Sequence, residues 1–133
     1  MQNYIPLAKP DLSGNERKYL LEAFDSGYLT HAGTWEARFE SELGRFLGRP
    51  SLATSSGTAA LHLSLLSLGT GPGDEVIVPA LTFTATAGVV VRCGAKPVLV
   101  DVTDSFGINW AHARSKINRR TKAVITVLSV KVD

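Results

Sequence analysis

An α/β fold, with a mainly parallel sheet covered by helices on both faces and preceded by two helices, follows from three observations in the 133-residue sequence. Short apolar runs alternate with helical stretches from position 51 onward. The runs are nearly continuous in Val and Ile rather than alternating with polar residues, which is the pattern of strands buried on both faces. Glycine and proline turns separate them at Gly69-Thr-Gly-Pro-Gly-Asp74 and Gly94-Ala-Lys-Pro97.

The first fifty residues read as helical. Ser13 is placed to cap a helix, with Glu16 three residues on completing a capping box and Leu20, Leu21 and Phe24 forming the apolar stripe up to Gly27. A second helix follows Ala32-Gly33, with Trp35, Phe39, Leu43, Phe46 and Leu47 at spacings of three or four and a stop at Gly48. Its other face is charged. From 51 to 127 the order is βαβαβαβ: strands at 51–54, 75–78, 97–101 and 122–127, with helices at 57–68, 82–92 and 110–117. Residues 128–133 form a tail.

Composition narrows the function classes. With 44% hydrophobic and 20% charged residues and a mean hydropathy of +0.09, the chain is globular rather than disordered. A single domain of this length buries roughly two-thirds of its unfolded surface without staples. The lone Cys93 forms no intramolecular disulfide and no cysteine zinc site, so a cytoplasmic protein is expected. No apolar run approaches the ~20 residues that span a bilayer, so no membrane partner is expected. A net charge of +2 and a pI near 8.9 select no nucleic-acid partner.

The most informative stretch is Ala53-Thr-Ser-Ser-Gly-Thr-Ala-Ala-Leu61, where a strand is expected to end and a helix to begin. Open α/β sheets bind ligands at that edge. Gly57 allows close approach of an anion, the first turn of the helix offers free N–H groups, and Ser55, Ser56 and Thr58 add hydroxyls. A phosphate is the fitting guest. Ser56 acting purely as a helix cap accounts for the same residues, and both readings stand at this point. No GxxxxGK[ST] or GxGxxG spacing occurs, which removes the usual ATP and NAD loops. His62 is expected to be a hydrogen-bonded structural residue. His31 and His112 have no companion at metal spacing, so no metal is expected. The cluster Arg114, Lys116, Arg119, Arg120 and Lys122 reads as a solvated helix end.

Ser55-Ser-Gly-Thr-Ala-Ala-Leu-His62, then Gly71-Pro-Gly-Asp-Glu-Val-Ile-Val-Pro79 and Leu81-Thr-Phe-Thr-Ala-Thr86, closely resemble the DegT/StrS family of pyridoxal-phosphate-dependent nucleotide-sugar aminotransferases. Ile5-Pro-Leu, Gly27-Tyr-Leu-Thr30, Gly94-Ala-Lys-Pro-Val98 and Thr121-Lys-Ala-Val-Ile125 extend the resemblance over nearly the whole chain. It implies the N-terminal part of a fold-type I large domain, with pyridoxal 5'-phosphate as cofactor. It also implies a nucleotide-linked keto-sugar as substrate, an amino-acid donor such as glutamate, and a homodimer. By the same resemblance Ser56, Gly57 and Thr58 match the phosphate cradle and Phe83 matches the aromatic that stacks on the pyridine ring. Thr30 lies where the family approaches its substrate.

The chemistry also needs a Schiff-base lysine and an acidic partner for the pyridinium nitrogen. In the family both lie beyond the point matched by Asp133, and none of Lys9, Lys18, Lys96, Lys116, Lys122 or Lys131 sits in the family's lysine context. Asp101 ends a strand at the ligand edge but reads as a strand-to-loop residue. The expectation is therefore a fragment that is inactive alone and assigns no catalytic residue. The alternatives are a non-catalytic phosphate-binding or interaction module, such as half of a split enzyme completed by a C-terminal chain, and a decayed gene product.

Overall fold

Five consecutive buried residues, Glu75–Pro79, form strand β1 at the centre of a three-stranded parallel sheet in the computed structural model, which describes residues 9–28 and 33–128. Strand β2 (Lys96–Val100) and strand β3 (Thr121–Val124) flank it in the order β2-β1-β3. Ile77 is paired with Val98 on one side and Val124 on the other. Because successive side chains of a strand point to opposite faces, β1 feeds two cores. Val76 and Val78 pack with Leu65, Val89 and Val90, whereas Ile77 packs with Val100, Ile108 and Ala113. That double coverage is why β1 reads as an unbroken apolar run. Full burial of each such side chain contributes roughly 1.5–3 kcal/mol.

The helices that supply those cores are α3 (Gly57–Ser67) and α4 (Ala85–Arg92) on one face and α5 (Trp110–Lys116) on the other. Tight turns return the chain to the sheet. Gly94 has φ +75° and a Cβ there would come within 3.1 Å of the Pro72 ring, so both backbone conformation and space demand glycine. The Gly71–Asp74 turn is closed twice. Gly71 N–H donates to the Asp74 carboxylate at 3.0 Å, and Asp74 N–H donates to the Gly71 carbonyl at 3.1 Å.

The chain divides between Ala53 and Thr54 into two compact units, the second holding this sheet. The first contains α1 (Glu16–Asp25) and α2 (Thr34–Leu47), neither of which has a buried residue. Tyr19 and Trp35 pack with ring centroids 5.7 Å apart, and the Arg38 guanidinium lies over both rings at 5.1 and 5.2 Å. Arg38 also bonds Glu42 at 2.7 Å, one helical turn on. Both helices stop at the expected glycines, Gly27 (φ +72°) and Gly48 (φ +65°).

Three expectations fail, the first two because a nearby side-chain carboxylate takes a backbone N–H. The capping box does not form: Ser13 N–H donates to Asp11 Oδ1 at 3.0 Å, and Asn15 occupies the N-cap without a side-chain bond. Asp11 and Ser13 satisfy each other locally, which is the competing use of such residues. Residues 51–54 are not a strand, so the sheet has three strands among the described residues rather than four. Ala53 N–H donates to the Glu40 carboxylate at 2.8 Å, a side-chain acceptor in place of a neighbouring strand. The helix expected from Thr82 starts at Ala85, leaving Thr82, Phe83 and Thr84 in the connection after β1.

Candidate functional site

At the carboxyl edge of the sheet, the start of α3 and the connection from β1 to α4 share a cavity of about 540 Å³. Gly57, Thr58, Leu61, Phe83, Ala85 and Thr86 line it. An adjoining groove of about 270 Å³ runs from Thr58 and Phe83 along α4. The fold thus brings Gly57 and Thr58 to one wall with Phe83, which lies far from them in sequence.

Each residue has a local reason to be there. Ser56 is the N-cap of α3, in extended backbone, and its Oγ accepts from Ala59 N–H at 3.2 Å. The capping role is therefore real, yet a hydroxyl that accepts one bond still has its proton to donate. Among the described hydrogen bonds, none is donated by the N–H of Gly57 or Thr58. The first turn of α3 contains no acidic residue. The first turn thus offers two N–H groups that donate no described hydrogen bond, at the positive end of the helix dipole. A Cβ at Gly57 would meet nothing within 4 Å, so the chain's own packing leaves the space beside it open.

Phe83 is 77% exposed. An ordinary core phenylalanine would be covered; this ring stands on the cavity wall. The loop that carries it is pinned at both ends. Ala80 N–H donates to the Val100 carbonyl at 2.8 Å, Thr86 N–H donates to the Phe83 carbonyl at 3.0 Å, and the Thr82 and Thr86 hydroxyls bond at 2.8 Å. Ala85, Thr86 and, in the groove, Gly88 and Arg92 are wall residues that sequence reasoning missed. The Thr82–Thr86 spacing of four was the available signal for Thr86.

The remaining candidates are placed elsewhere or differently. Asp101 Oδ2 lies 2.9 Å from His112 Nδ1, so its carboxylate is engaged by α5. His62 is half-buried on α3, and the hydrogen bond expected of it is not formed among the described residues. Among those residues no group of three or more His, Cys, Asp or Glu side chains could hold a metal ion. Thr30, His31, Lys131 and the opening Ile5-Pro-Leu lie outside the described residues. At the opposite, amino edge, Glu75 is almost wholly covered: Asn118 Nδ2 donates to it at 2.8 Å, with Arg120 Nη2 at 2.9 Å and Lys96 Nζ at 3.6 Å. The Asn118 bond, followed by the two cations, holds its carboxyl below the usual range. Lys96 and Arg120 thus serve the sheet edge.

The sequence profile of the DegT/DnrJ/EryC1/StrS aminotransferase family matches residues 10–129. The chain belongs to this family. Similar members include a GDP-perosamine synthase of Vibrio cholerae, 43% identical over 125 residues, and one of Caulobacter vibrioides, 44% identical over 125 residues. Each match covers 92% of this chain and 34% of the relative. Among solved structures, the Bacillus subtilis protein NtdA, with bound cofactor PMP, is 38% identical with a TM-score of 0.75 over 83% of this chain and 26% of its own. The chain therefore spans about a third of the length of the family members it matches. Its parallel sheet and flanking helices are those of the family's N-terminal portion. No described helix is long and apolar enough to cross a membrane.

Proposed function

We propose that this chain forms the cofactor-phosphate side of a pyridoxal-phosphate-dependent aminotransferase that converts a nucleotide-linked keto-sugar to the amino-sugar, with an amino acid such as glutamate as donor. The observation that carries the reading is the shared cavity of Gly57, Thr58 and Phe83, in a chain whose family relatives include sugar aminotransferases. The donor set fits a phosphate ester bearing an aromatic ring. The Gly57 and Thr58 N–H groups and the Ser56 and Thr58 hydroxyls would hold the phosphate; the exposed Phe83 ring would lie against the pyridine. Bound pyridoxal phosphate supplies the electron sink on which amine exchange depends. The residues here bind and orient, and the pinned loop fixes the plane in which the ring is presented. The reducing cytoplasm is the proposed compartment, where the buried Cys93 stays a thiol.

Equilibrium dialysis of pyridoxal phosphate against the 133-residue chain tests the proposal. Binding should be competed by inorganic phosphate, and Thr58→Ala should weaken it about tenfold, the worth of one hydrogen bond to a charged group. Unchanged binding by Thr58→Ala refutes the assignment. Given a keto-sugar nucleotide and glutamate, these residues alone should produce no amino-sugar; turnover would contradict the binding-only role.

A further inference from the structure

The hydroxyls of Thr82 and Thr86, 2.8 Å apart, hold two protons between them, and the bond that joins them uses one. Where the other goes depends on which oxygen donates. Thr82 is half-buried in the connection between β1 and α4, within reach of water. Thr86 is 4% exposed and lines the cavity of about 540 Å³. A hydroxyl on a helix can give its proton to a carbonyl three or four residues back, as Ser64, Ser67 and Ser115 do here. Thr86 makes no such bond among the described residues. The Phe83 carbonyl, three residues back, takes the Thr86 N–H at 3.0 Å, and the Thr86 hydroxyl meets the side chain of Thr82 instead. If Thr86 donates, Thr82 passes its own proton to water and both groups are satisfied. If Thr82 donates, the Thr86 proton is left in the cavity wall, where the occupant of the cavity must accept it, because a buried donor needs a partner.

We propose that the Thr86 hydroxyl is a further binding donor to an anionic oxygen of the cofactor, with Thr82 as the partner that takes that proton or releases it. The inference deepens the reading of the cavity given above and rests on it. The pair reverses: Thr86 donates to Thr82 when water fills the cavity, and Thr82 donates to Thr86 when a phosphate oxygen or the ring hydroxyl oxygen of pyridoxal phosphate does. No covalent bond and no charge changes, only the direction of one hydrogen bond. The competing role is purely structural, a pair that pins the loop carrying Phe83.

Equilibrium dialysis of pyridoxal phosphate against the chain and three variants separates these roles. Thr82→Val and Thr86→Val delete the same bond between hydroxyls, and only the second deletes the buried donor. Thr86→Val should bind about tenfold more weakly, while Thr82→Val and Thr86→Ser, which both keep the donor, should stay within about twofold of wild type. Equal losses in the two valine variants would leave a loop pin and overturn the donor, as would unchanged binding by Thr86→Val. A measurement on wild type needs no variant to fold: saturating pyridoxal phosphate should protect the Thr86 hydroxyl proton from exchange in NMR spectra, and an unprotected proton overturns the proposal. Inorganic phosphate, titrated against wild type and Thr86→Val, assigns the oxygen. Equal weakening places the proton on the phosphate, and undiminished binding places it on the ring oxygen. Absence of pyridoxal phosphate binding by wild type would instead bring down the cofactor reading, and this inference with it.

Discussion

The two units of the chain carry similar apolar content to opposite ends. In the second, β1 is buried at every position because a neighbouring strand lies on each side and helices cover both faces. In the first, α1 and α2 have apolar stripes of the expected spacing and no buried residue; Phe46 is 86% exposed. An amphipathic pattern thus establishes that a helix can form, while burial depends on what the chain brings against it. The same contrast holds at helix starts. Ser56 closes α3 with its side chain, whereas Asn15 leaves α1 uncapped by any.

The largest effect should come from hollowing the sheet. Ile77→Ala removes a fully buried side chain between Val100, Ile108 and Ala113 and should cost about 2–5 kcal/mol in urea unfolding. Phe46→Ala, in α2, should stay within about 0.5 kcal/mol, as surface changes do. Equal losses at the two positions would show that the helical unit has a core after all. Helix caps come next. Ser56→Ala should cost about 0.5–2 kcal/mol, while Asn15→Ala, with no capping bond to lose, should cost clearly less.

A smaller effect concerns Glu75. Its carboxyl is held below the ordinary value of 4.5, first by Asn118 and then by Arg120 and Lys96. Its contribution is therefore complete above pH 4.5 and is lost as pH falls from there through the lowered folded value. Urea midpoints measured across the acid range should fall more steeply for wild type than for Glu75→Gln. Parallel curves would remove Glu75 from the acid response.

Much of the second unit was legible in the sequence because its central strand is covered on both faces and its turns need glycine. Val76 to Val78 and the Gly94 turn could be read without tertiary information. Residues 51–54 misled because a short hydroxyl and apolar run carries no sign of whether a strand will lie beside it; the Glu40 carboxylate took the Ala53 N–H instead. At the site, the glycine and hydroxyl cluster is enough to suggest an anion, but residue types alone do not decide whether Ser56 caps α3, serves the anion or does both. Phe83 illustrates the boundary. The family resemblance gave it a ligand, and only the fold shows the ring exposed on the wall that Thr58 shares. Arg92 left no local trace, since an arginine ending a helix looks the same whether it faces a groove or solvent.

The most direct test of the site is an amide NMR titration of the labelled chain with pyridoxal phosphate. The Gly57, Thr58 and Ala59 amides and the Phe83 ring should shift together, and inorganic phosphate should reverse the amide shifts. Shifts confined to lysines, or absent from the start of α3, would contradict the site assignment.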